Sequence, residues 1–267
     1  EKNTSWDYPI GILDLGLSDN QVTWLSSRGV EIVAPEWDYV FPGRSDEKRW
    51  FMAMTARPNL KKYFLDYDYY FWIDADAWVQ DGAYFDLILE VAKKYKMAIV
   101  PEIDRSYQAF YNGGHTRNWM GNLYLSGWGE KLAYHLVEYP ILNSGVWCIS
   151  NDHPVWGKWR NELGRALQKT DNFAIEQTAL NVAVYTNSEI EPHFLPSLAN
   201  WNCGHAPPMF DPDRNCFVEP LMPHAKIGIV HLCGIHPKGQ VFNVTCTDGT
   251  MRQMKYLFEA PEETVFE

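Results

Sequence analysis

Two carboxylates one residue apart, Asp74 and Asp76, follow the apolar run Tyr69-Tyr70-Phe71-Trp72-Ile73. Acids that close repel each other and call for a cation. Mg²⁺ or Mn²⁺ is the hard, oxygen-preferring choice, and such an ion normally shares its shell with substrate phosphates. The bland reading is a polar turn after a core strand, because three-residue patterns recur by chance. Far downstream, His231 closes another apolar run and offers a neutral imidazole as a third ligand, or else is a hydrogen-bonded histidine at a strand end. Lys238 lies past Gly234, whose loop would let its ammonium reach a phosphate as a mobile point charge. It reads equally as a solvated surface lysine.

These residues need a scaffold that delivers them to one place. The run from Tyr69 to Val79 reads as a single strand buried on both faces, with the acids at its C-terminal end. Ligands of open α/β sheets bind off such ends. Ahead of it, Ile10–Leu13 is a strand, Ser18-Asp-Asn-Gln21 has capping-box spacing, and Gly29 separates the helix from a strand over 30–33. A helix over 48–56 should stop near Arg57-Pro58. A helix follows from Asp81 to Tyr95 and a strand from Met97 to Val100. Residues 106–128 read as a long loop over the site, and 130–139 as a helix. Asn143 and Gly145 open a strand ending at Ile149. An amphipathic helix begins at His153-Pro154, and another, capped by Asp171 or Asn172, carries Glu176, Gln177 and Asn181. Residues 191–225 read as mostly irregular, 226–230 as a late strand, and 251–258 as a terminal helix. The pattern is α/β, one domain over 1–267, with a mixed, mostly parallel sheet flanked by helices.

Four segments taken in order, Asp74-Ala-Asp76, Asn143-Ser-Gly145-Val146, Glu176-Gln177-Thr-Ala-Leu180-Asn181 and His231-Leu-Cys-Gly234-Ile-His-Pro-Lys238, resemble the motifs of family 8 glycosyltransferases and related retaining enzymes of the GT-A fold. The resemblance spans residues 10 to 238. It implies a nucleotide-activated sugar as donor, a UDP-sugar by expectation, a glycan or other hydroxyl acceptor, and Mn²⁺ or Mg²⁺ held by Asp74, Asp76 and His231. It places Asn143 and Gly145 beside the sugar, where Asn supplies donor and acceptors and Gly admits close backbone approach. It puts Gln177 on the far side of the anomeric carbon and Glu176, where the family usually has Asp, on substrate hydroxyls. An amide there is a poor nucleophile, which favours front-face attack. Bland alternatives are a tight turn at 143–145 and an exposed helix face at 176–177. Arg57 either meets the phosphates or donor sugar or interacts with its helix-end carbonyls. Glu102, Asp104 and Arg105 either meet substrate or form a polar turn, and Asn200-Trp-Asn202 either stacks on a sugar or fills a loop. Enzymes of this type begin with a base-binding strand, and Ile10–Ser18 resembles their second strand, so either the first lies upstream or the base is bound differently.

The bulk numbers restrict the alternatives. The 267 residues are 46% hydrophobic, enough for a large α/β core. A net charge of −11 without a long basic run argues against nucleic acid and polybasic membrane contact. No apolar run approaches the roughly 20 residues of a membrane span. Many Trp and Tyr offer flat faces to sugars, though most belong to the core. Five cysteines without regular spacing point to a reducing compartment, the cytoplasm, with a Cys203–Cys216 bridge or a secretory-lumen location left open. Asn3 and Asn243 lie in glycosylation sequons. The start at Glu1 reads as a fragment or processed product. An aspartate-nucleophile phosphohydrolase also uses paired acids after a buried strand but fits Ala77-Trp78 poorly. A non-catalytic carbohydrate-binding domain is the other competitor.

Overall fold

A computed structural model describes residues 8–107 and 115–258. Asn3 and part of the expected loop at 106–128 fall outside them. Strand β1 (Gly11–Leu13), helix α1 (Asp19–Ser26) and strand β2 (Glu31–Val33) make a parallel β-α-β unit. Ser18 caps α1 in the expected capping box with Gln21. Helix α2 (Phe51–Ala56) ends at Arg57-Pro58, as expected. The chain continues through a 3₁₀ turn at Arg57–Asn59 into α3 (Leu60–Tyr63), because proline in a first turn lacks only an N–H that had no helical partner.

The main sheet has the order β3 (Tyr69–Ile73), β6 (Leu142–Ser150), β5 (Met97–Pro101), β7 (His193–Phe194). Strand β6 runs antiparallel to both neighbours, and only β5–β7 is parallel. The sheet is therefore mixed but not mostly parallel. Every residue of β6 is buried, and its alternation feeds two cores. Trp147 and Ile149 face the helices α7 (Val155–Leu167) and α8 (Ile175–Tyr185), whereas Val146 and Cys148 face α4 (Gly82–Tyr95). Trp147 meets Trp156 and Trp159 edge-on at centroid distances of 5.6 and 5.7 Å. Such pairs add about 0.5–1.5 kcal/mol each beyond area burial.

The aromatic run at 69–79 is not one doubly buried strand. It forms the edge strand β3, mostly half-buried, then a turn, then β4 (Ala77–Val79) in a second sheet of order β4–β11–β8. Strand β11 is Ile229–His231 and β8 is Trp201–Asn202. An edge position explains the partial exposure: Phe71 is covered by one ring, Phe85, stacked at 4.1 Å, and Trp72 by Trp147 at 6.2 Å.

Three further expectations change. Residues 115–128 form helix α5, packed against α6 (Glu130–Leu136), rather than a loop. Residues 191–225 contain short strands, including β9 (Met209–Asp211) paired with β10 (Cys216–Val218). Met251–Met254 is strand β13, antiparallel to β12 (Phe242–Thr245), not a helix. Asp248-Gly249 sets that hairpin, with Gly249 at φ +83° supplying the left-handed turn residue. All five cysteines are free thiols, so Cys203 and Cys216 are not bridged. No helix among the described residues is long and apolar enough to cross a membrane.

Candidate metal and donor site

The site forms where the chain passes from one sheet to the other. The Asp74 N–H donates to the Gly145 carbonyl at 2.8 Å, extending the β3–β6 pairing by one bond. Two residues on, the Asp76 carbonyl accepts from Leu232 N–H at 2.9 Å, while Ala77 pairs with His231. Backbone pairing thus brings His231 to the acids: its Nε2 lies 3.2 Å from Asp76 Oδ1 and 3.8 Å from Asp74 Oδ2. One ligand atom from each of Asp74, Asp76 and His231 falls within 4.8 Å of the others, and among the described residues this is the one such His/Cys/Asp/Glu group. Two carboxylates and an imidazole suit Mn²⁺, and Mg²⁺ somewhat less. Gly145 leaves room for the cluster: a Cβ there would lie 2.4 Å from His231 Cε1 and 2.7 Å from Asp74 Oδ2.

Cations already surround the acids. Asp74 Oδ1 accepts from Arg57 Nη2 at 2.5 Å and from Trp72 Nε1 at 2.6 Å. Lys238 Nζ donates to Asp76 Oδ2 at 2.5 Å and to the Leu232 carbonyl at 2.6 Å. Burial alone would raise the Asp76 pKa, but hydrogen bonds and charge from His231 and Lys238 hold it well below the usual carboxylate range. Gly234, at φ +76°, makes the turn that returns Lys238 to Asp76.

Arg57 joins the site to helix α8. Its Nη1 donates to Glu176 and, at 3.0 Å, to Ser144 Oγ. Glu176 is 1% exposed, so it is neither on an exposed helix face nor open to a substrate hydroxyl. Burial pushes its carboxyl up to about 7, with Arg57 pulling the other way. It acts on the site through Arg57, which in turn orients Asp74. Gln177, half-buried, accepts the Ser144 N–H on Oε1 at 3.0 Å, which leaves its NH₂ as the end able to meet a ligand. Asn181 bonds both the N–H and the carbonyl of Leu142, fixing α8 against β6.

Asn143, 3% exposed, donates to Glu102 Oε1 at 2.6 Å. Asp104 is not brought to the acids. It accepts from Ser106 N–H at 2.8 Å and from the Ser197 hydroxyl, a turn-forming role. Arg105 pairs with Glu219 at 2.8 Å. Trp72 and Ser144 lie inside segments the sequence marks but with no role assigned to them, and His205 carries no sequence signal for the site. Asn200, read as sugar-stacking or loop-filling, instead contacts His231.

No family model matches the sequence, and no curated protein matches it. Among solved structures the chain is similar to the galactosyltransferase LgtC in complex with donor and acceptor sugar analogs, at 15% identity over 88% of this chain and 78% of that one, with a TM-score of 0.48. It is also similar to an active-site mutant of LgtC, at 14% identity over 86% of this chain and 78% of that one, with the same score of 0.48.

Proposed function

We infer that this chain is a metal-dependent, retaining glycosyltransferase of the GT-A type, with residues 1–267 as one catalytic domain. It takes a sugar from a nucleotide-diphosphate donor, a UDP-sugar by expectation, and moves it to an acceptor hydroxyl. One observation carries the reading: ligand atoms of Asp74, Asp76 and His231 converge within 4.8 Å. Bound there, Mn²⁺ or Mg²⁺ supplies positive charge against the departing diphosphate. Lys238 adds a second, mobile charge by leaving Asp76 for the β-phosphate. The Gln177 amide faces the anomeric carbon, while the buried Asn143 and Gly145 support the metal ligands from behind rather than touching the sugar. Because an amide is a poor nucleophile, the acceptor oxygen attacks from the leaving-group side. Its proton passes to the departing phosphate oxygen as the sugar–phosphate bond breaks. A phosphohydrolase with Asp74 as nucleophile is disfavoured, since Arg57 and Trp72 both bond its Oδ1.

The test is incubation with Mn²⁺ and a panel of sugar nucleotides, reading nucleoside diphosphate release with and without hydroxyl acceptors. Turnover of one donor, lost on chelation, is the expected result. Phosphate release from phosphoesters without sugar-nucleotide turnover overturns the reading in favour of a hydrolase. Glycan binding without any turnover overturns it in favour of a carbohydrate-binding domain.

A further inference from the structure

His231 Nδ1 faces Asn200 Oδ1 at 2.8 Å, on the side of the ring away from the acids. Asn200 Nδ2 donates to Asn143 Oδ1 at 2.9 Å. Asn143 Nδ2 donates to Glu102 Oε1, and Glu102 Oε2 lies 2.8 Å from His205 Nε2. The Gly145 backbone fixes the direction of the bonds from Asn143 through Asn200 to His231. The Gly145 backbone N–H, which can only donate, is 2.8 Å from Asn143 Oδ1. Glu102 Oε1 takes the opposite end of the same amide. Flipping Asn143 would set its NH₂ against the Gly145 N–H and the Asn200 NH₂. Asn200 must therefore turn its oxygen to His231, and the imidazole must carry a proton on Nδ1. When the ring is neutral, Nε2 then presents a bare lone pair to Asp74 and Asp76.

We propose that Asn200 is a positioning residue that sets the tautomer and orientation of His231 for divalent-metal binding, with Asn143 and Glu102 fixing its direction. The inference rests on the metal reading of the acid pair. Asn200, Asn143 and Glu102 are 3, 3 and 8% exposed, so water competes little for these bonds. Partners of this kind behind a ligating histidine typically change metal affinity about 10–100-fold when removed. A purely structural role, holding β8 against β6, would leave the ring's protonation pattern untouched.

The experiment uses metal-free protein at pH 8.5 with ¹⁵N-labelled histidine. Wild type is expected to show His231 with a protonated Nδ1; an Nδ1 without a proton overturns the proposal without any variant. In Asn200→Leu, the tautomers mix or reverse, and Mn²⁺ affinity, titrated by electron paramagnetic resonance, falls about 10–100-fold. A folded Asn200→Leu with wild-type tautomer and wild-type Mn²⁺ affinity overturns the positioning role alone. Wild type that binds no Mn²⁺ overturns the metal reading itself, and the role for Asn200 in metal binding with it.

Discussion

Gly145→Ala is the sharpest perturbation of the candidate site. The added methyl would lie 2.4 Å from His231 Cε1, 2.7 Å from Asp74 Oδ2 and 2.9 Å from Asn143 Oδ1. Favourable carbon contacts need about 3.5–4.0 Å, so the neighbours must yield by roughly 1 Å. The backbone has little room to retreat. Gly145 is bonded through its N–H to Asn143 and through its carbonyl to Asp74, and β6 is paired on both sides. The imidazole and the Asp74 carboxylate must move instead. Metal–ligand distances tolerate only about 0.2 Å, so a shift of this size removes His231 as a ligand. Overpacking should cost about 1–3 kcal/mol of stability. Loss of a ligand should weaken Mn²⁺ binding by about 100-fold or more, or roughly 2.8 kcal/mol at 1.4 kcal/mol per tenfold. Calorimetric Mn²⁺ titration, with urea unfolding as the control, measures both. A folded Gly145→Ala that binds Mn²⁺ as tightly as wild type would refute the placement of His231 in the ion's shell.

Asp76→Asn should abolish donor turnover and weaken metal-dependent donor binding, read by nucleoside diphosphate release and Mn²⁺ titration; unchanged turnover removes Asp76 from the shell. Arg57→Met leaves Glu176 buried without its cation and should cost about 3–5 kcal/mol in urea unfolding, as breaking one side of a buried pair does; a change under 1 kcal/mol would contradict that coupling. His153 is 6% exposed and accepts the Val155 N–H on Nδ1, and its pKa is pushed down to about 4 by burial. The unfolded chain binds this proton first, so its contribution is complete above about pH 6.5 and is lost as pH falls towards 4, on the order of 3 kcal/mol in all. His153→Asn keeps an acceptor for the N–H and should flatten the stability curve in that window. A slope unchanged from wild type would assign the pH dependence elsewhere.

The parts of the fold that local chemistry controls were legible in the residues. Ser18 and Gln21 sit three apart and form their capping box, and the acids end an aromatic strand as their spacing suggested. Misreadings arose where tertiary context decided. Met251–Met254 has helical spacing in isolation, but the Asp248-Gly249 turn folds it back on Phe242–Thr245. The run at 69–79 looked continuous because the change of sheet at Asp74–Asp76 leaves its apolar pattern unbroken. Glu176 reads locally as a residue for substrate hydroxyls or part of an exposed helix face, since its burial depends on Arg57, which comes from a distant helix end. Asn200 sits in a proline-rich segment of short strands, and nothing local marks it as the neighbour of His231.

The step between sheets at Asp74–Asp76 has a mechanical consequence. Asp74 is anchored to the edge of the four-stranded layer, whereas Asp76 and His231 belong to the three-stranded one. Ligation there would tie together two sheets that already share a core, in which Ile229 packs with Val146 and Cys148. At a concentration 100 times its dissociation constant, an ion bound only by the native form adds about 2.7 kcal/mol to folding. Chelation would therefore withdraw a tie that spans both sheets, and with it that increment of stability.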